Sequence, residues 1–133
     1  MSHIDTQSSP LLFRALAGNG LFSLFSGAVL LLGGYWIAPL LGDIAFWVVM
    51  LVGAGLIPFG LQLLRAAGNG RIKRAEAVSI SVMDFGWVAG SALLLLFLPD
   101  YFTRAGIIAV DAVALIVLVF ALLQSYALLR VNQ

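Results

Sequence analysis

Of 133 residues, 62% are hydrophobic and only 10% charged, with a formal net charge of +1, one histidine and no cysteine. That composition lies outside the range of soluble domains, and without cysteine there are no disulfides, thiolate metal sites or cysteine-ligated iron–sulfur clusters. The lone His3 stands in a polar leading segment, which excludes a histidine-ligated haem among the apolar stretches, and the small net charge carries no sign of nucleic-acid binding.

Met1 to Ser9 contains no lysine or arginine, and the apolar run behind Arg14 outlasts the roughly 7–15 residues of a signal-peptide core. The run is therefore read as a retained first helix. No residue from Ala15 to Gly42 is charged, and a bilayer core needs about 20 apolar residues per helix, so a first span is predicted at about residues 11–37. Ser9 suits its N-cap, and Pro10 suits the first helical position, where a missing N–H costs nothing. The helix is expected to end near Trp36, with Pro39, Gly42 and Asp43 in an outer turn. Gly18-Asn19-Gly20 is its weak point, the place for a break after a short interfacial helix.

A second uncharged run, Ile44 to Leu64, predicts a span at about residues 44–65. Pro58 is expected to kink it by freeing the carbonyl of Ala54, and Ala66-Ala67-Gly68-Asn69-Gly70 to stop it. The third run, Ala77 to Pro99, is interrupted only by Asp84 and predicts a span at about residues 76–98. A short loop at Pro99-Asp100-Tyr101 leads to the fourth, at about residues 105–129, interrupted only by Asp111. The fold class that follows is all-α, an integral-membrane four-helix bundle forming a single transmembrane domain over residues 1–133.

Six of the seven basic residues fall on one side of these spans: Arg14, Arg65, Arg71, Lys73, Arg74 and Arg130. Only Arg104 falls on the other, so both termini and the central loop are expected to be cytoplasmic. Topology also accounts for the basic loop at Arg71 to Arg74, whose charge would attract anionic headgroups. Tyr35, Trp36, Trp47 and Tyr101 gather at the outer ends of spans as an aromatic belt. The lipid bilayer is thus the first partner.

Polar side chains in hydrocarbon are costly, and ionisable ones turn toward a bundle interior or a wet cavity. Ser81, Asp84, Val88 and Ser91 recur at helical spacing on one face of the third span, with Trp87 one turn beyond Asp84. Asn19, Ser23 and Ser26 make a similar stripe at comparable depth on the first span, and Gln62, Gln124 and Ser125 lie near the matching ends of the second and fourth. One reading makes Asn19, Ser23, Ser81, Asp84, Trp87 and Ser91 a ligand-binding pocket open toward the cytoplasm, with Asp84 as its charge or proton carrier. The other has these groups satisfy one another, at about 0.6 kcal/mol per contact, with Asp84 bonded to Asn19. Asp111 is expected to form a structural ion pair with Arg104, two turns earlier on the same face. Gly86 and Gly90 match the G-x-x-x-G packing pattern, which close packing within the bundle explains as well as dimerisation does. A faint likeness between Phe22 to Leu32 and Phe85 to Leu95 suggests a parallel two-plus-two duplication.

The segments Asn19-Gly20-Leu21-Phe22-Ser23-Leu24-Phe25-Ser26-Gly27 and Asp84-Phe85-Gly86-Trp87-Val88-Ala89-Gly90-Ser91 resemble a pattern in small bacterial four-span membrane proteins. Those proteins carry an Asn–Phe–Ser–Ser–Gly stripe on the first helix and an Asp–Trp–Gly–Ser stripe on the third. The resemblance covers the two odd-numbered spans and implies a bacterial inner-membrane location, without supplying an activity. It departs at Gly18 and Gly20, where the pattern has alanine, and so bears on how straight the first helix runs. Compact multidrug transporters are comparable in size, but their first-helix glutamate has no counterpart here.

No phosphate-binding glycine loop, metal-ligand cluster or nucleophile–base pair is legible, so neither an enzyme nor a cofactor is expected. The leading expectation is an accessory or assembly protein that packs against other membrane proteins or a second copy of itself. The alternative is binding or transport of a small apolar or cationic ligand, or a proton, through the Asp84 pocket.

Overall fold

A computed structural model of the chain describes residues 3–131; Met1, Ser2, Asn132 and Gln133 lie outside it. The first helix, α1 (Pro10–Leu41), starts as its sequence predicts, with the Ser9 hydroxyl accepting the Leu12 N–H at 3.2 Å. It does not break at Gly18-Asn19-Gly20, and it passes the expected end at Trp36 with Pro39 inside it. Both departures have contacts behind them. Gly20 is pressed against the second helix, and Thr103 satisfies the far end, donating from its hydroxyl to Leu40 O (2.6 Å) and from its N–H to Leu41 O (2.9 Å).

Helix α2 (Phe46–Asn69) runs through Pro58 and closes at Gly70, whose φ of 66° only glycine adopts freely. Helix α3 (Arg74–Phe97) leads through a short 3-10 turn (Pro99–Tyr101) to α4 (Arg104–Val131). All four helices are long and apolar enough to cross a membrane. Only 17 to 22% of each most apolar stretch is buried inside the structure, so most of that surface needs lipid around it rather than water.

The packing order is α2–α1–α4–α3: α1 lies along α2 and against α4, and α4 lies against α3. Small residues bring α1 and α2 together. A Cβ on Gly20 would stand 3.1 Å from Gly60 O, and one on Gly27 would stand 2.8 Å from Gly53 O. Gly34 repeats the arrangement against Met50. Gly20, Gly27 and Gly34 are seven residues apart on α1, as are Gly60 and Gly53 on α2, the period that keeps one seam facing a partner through a left-handed crossing. In lipid, association rests on such close backbone approach because apolar burial gives no net drive. The suggested duplication finds no support in packing, since Gly90, the counterpart of Gly27, has open space where Gly27 meets α2.

Each end of the bundle is tied. Strand β1 (His3–Asp5) pairs antiparallel with β2 (Arg71–Lys73), in the register His3 to Lys73, Ile4 to Ile72 and Asp5 to Arg71. Alternation turns Ile4 and Ile72 inward, at 1% and 2% exposure, onto Leu12, Leu16, Leu63 and Ile80. The sequence reading has this segment as a polar tail, because three residues around one isoleucine carry no periodicity. At the far end Gly42 bridges to Phe102, and the Asp43 N–H donates to Tyr101 O at 2.8 Å.

Candidate functional site: a closed polar cluster

The site is built on helical spacing. Asn19 and Ser23, four apart, share one face of α1, while Ser81 and Asp84, three apart, share one face of α3. Because α4 lies between α1 and α3, a polar residue on it reaches both, and Gln124 occupies that position. Asn19, Asp84 and Gln124 stand at matching depths, about 11–15 Å from the ribbon-end starts and finish of their helices at ~1.5 Å per residue.

The Asn19 side-chain amide donates to Asp84 Oδ2 at 2.7 Å and to Gln124 Oε1 at 3.0 Å. The Gln124 amide donates to the same Asp84 oxygen at 3.0 Å and, at 3.5 Å, to the Ser81 hydroxyl. The Ser23 hydroxyl donates to Asn19 Oδ1 at 3.3 Å. Asn19 and Gln124 are fully buried, and Asp84 is 3% exposed. Two amides thus converge on one carboxyl oxygen, and each amide's own carbonyl is used inside the cluster. Hydrogen bonds to a charged group are worth about 1.5–3 kcal/mol, and leaving such a group bare inside a bundle costs more.

One turn nearer the ribbon, each of the three helices carries a buried apolar side chain: Leu16, Ile80 and Leu128. These stand where a pocket open toward the termini would need its mouth. Two surface concavities are lined elsewhere, one at the ribbon and one by Tyr35, Ala38, Pro39, Ile44, Ala45 and Phe46.

Four of the six residues expected in a pocket are therefore brought together: Asn19, Ser23, Ser81 and Asp84. Trp87 and Ser91 are half-buried and take no part in the network, and the Trp87 indole N–H is enclosed without an acceptor. Gln124 is the member that sequence reasoning leaves out of the set, although its depth matches; only the order of helices shows that it bridges the other two. Gln62 lies apart, donating to Glu76 Oε2 at 3.0 Å.

The expected ion pair between Arg104 and Asp111 is not formed. Both side chains are exposed, and neither has an ionic or hydrogen-bonding partner among the described residues. Helical side chains tilt toward the N-terminus, so Arg104, at the first residue of α4, inclines away from Asp111 two turns further on. Among the described residues, no three His, Asp or Glu side chains group as a metal site would require. Comparison with protein-family models, curated proteins and solved structures finds no match for this chain.

Proposed function

We propose that this chain is a small multi-pass membrane protein of the bacterial inner membrane that acts as an accessory or assembly partner, packing against other membrane subunits or a second copy of itself. The observation that carries this reading is the closure of the Asp84 cluster. The carboxyl group deepest in the bundle is held by Asn19 and Gln124 and covered toward the ribbon by Leu16, Ile80 and Leu128. A group arranged in this way orients helices; it is poorly placed to load and release a cation or proton. The outer surface fits a packing role, since no residue of α3 beyond Asp84 is buried. Binding or transport at Asp84 is the competing reading, and it would need those covering side chains to move aside.

The test is Asp84→Asn in reconstituted protein. Asn keeps the shape, places a carbonyl where Oδ2 accepts, and removes the charge, so stability in detergent should be retained or raised. Wild-type proteoliposomes should show no proton or cation flux, and gentle extraction should release the chain in a species larger than a monomer. A monomeric wild type that moves protons or cations, with Asp84→Asn abolishing the flux in a folded protein, would overturn the reading.

A further inference from the structure

The outer face of the strand ribbon differs chemically from the rest of the bundle. A concavity of about 620 Å³ opens beside it, lined by His3, Asn69, Arg71, Ile72, Lys73 and Glu76. It is shallow and open to the surface, and its lining carries two cations against one carboxylate. Strand alternation that buries Ile72 puts Arg71 and Lys73 on the same outward face, about 6.6 Å apart at ~3.3 Å per residue. Two long basic side chains at that separation can close on one tetrahedral anion.

The neighbouring acids are each partly engaged within the protein, although Asp5 shares the outward face with Arg71 and lies within its electrostatic reach. Asp5, opposite Arg71 in the ribbon, accepts the Ser8 N–H at 2.8 Å and the Ser8 hydroxyl at 2.9 Å. Glu76 accepts from Gln62 on α2, and Arg74, the next cation along, donates to Leu128 O at 3.1 Å. Arg71 and Lys73 make no side-chain hydrogen bond among the described residues.

Position identifies where the anion comes from. Helices α2 and α3 have 24 residues each, about 36 Å at ~1.5 Å per residue, against a hydrocarbon core of about 30 Å. The ribbon joining them therefore stands in the headgroup layer. We propose that Arg71 and Lys73, with His3 across the ribbon, form a binding site for the phosphate of an anionic phospholipid headgroup. The guanidinium supplies a forked donor pair and the ammonium a point charge, and the two act on one phosphate. This proposal rests on the membrane placement of the helices and is independent of the packing role.

The experiment compares unfolding temperatures in nanodiscs of phosphatidylcholine alone and of phosphatidylcholine mixed with phosphatidylglycerol. The wild type should be more stable with the anionic lipid, because a ligand that binds only the folded state stabilises it. The doubly substituted Arg71→Gln, Lys73→Gln protein should lose more than half of that increment. Arg14→Gln, Arg65→Gln should keep it, since those exposed arginines share the end but do not line the concavity. Inorganic phosphate added to phosphatidylcholine discs separates the sources: stabilisation well below that given by phosphatidylglycerol supports the lipid. Stabilisation by free phosphate equal to that by the lipid would overturn the headgroup assignment. Equal loss in the two double variants, or no lipid effect in the wild type, would overturn the site itself.

Discussion

A carboxyl group with two amide donors on one oxygen is a coupled system, so its energetics follow the network rather than any one contact. Asn19→Ala removes the donors to Asp84 and Gln124 together and leaves the Ser23 hydroxyl without its acceptor. Asp84→Ala removes the shared acceptor from both amides. Each single substitution therefore breaks bonds that the other would also break. The double variant should be less destabilised than the sum of the singles, by about 0.5–3 kcal/mol in a double-mutant cycle of unfolding in micelles. Additivity to within about 0.3 kcal/mol would mean that the cluster is not a unit. Trp87 lies beside this system and outside it: its N–H has no acceptor, and nothing in the structure explains that.

Among the helices, the contrast is between glycines that meet a neighbour and glycines that meet open space. On Gly27 or Gly53 a Cβ would press into the facing backbone carbonyl, at 2.8 and 2.6 Å, where no flexible side chain can yield. Gly27→Ala and Gly53→Ala should each cost about 1–3 kcal/mol, the usual range for overpacking a tight interface. On Gly86 and Gly90 a Cβ would meet nothing, so alanine there should be neutral or stabilising by up to about 1 kcal/mol through helix propensity. Unfolding of the four variants in one detergent checks both halves, and equal effects at all four positions would refute the α1–α2 seam. The sequence points to G-x-x-x-G at Gly86 as the packing motif, while the contact uses glycines spaced by seven, split between two helices. That pairing is invisible along one chain, because it appears only once Gly20 is set against Gly60 and Gly27 against Gly53. The four long helices were legible because each is a run of apolar residues bounded by charge. The Asn19–Asp84 contact was legible because equal depth on helices starting at one side is a geometric constraint. Gln124 as the bridge, the ribbon, and the outward turn of Asp111 depend on which helices are neighbours, and hydropathy carries no record of that.

For the whole molecule, pairing constrains topology independently of charge. Residues 3–5 hydrogen bond with residues 71–73, so the leading segment and the α2–α3 connection must lie on one side. The bridge from Gly42 to Phe102 likewise holds the other two connections together on the opposite side. These ties fix which ends go together without saying which side faces the cytoplasm. The basic residues supply that sign: six of seven, Arg104 being the exception, belong to the ribbon end. The exposed aromatics Tyr35, Trp36, Trp47 and Tyr101 belong to the other end, where interfacial rings are expected. Reporter fusions at Gly68 and at Asn132 should therefore both read cytoplasmic, and one at Asp100 should read from the opposite face. The possible failures differ in meaning. If both ribbon-end fusions report outside and Asp100 inside, the charge argument fails while the paired architecture survives. If Gly68 and Asn132 report opposite faces, an odd number of spans lies between them, and the four-crossing arrangement is wrong.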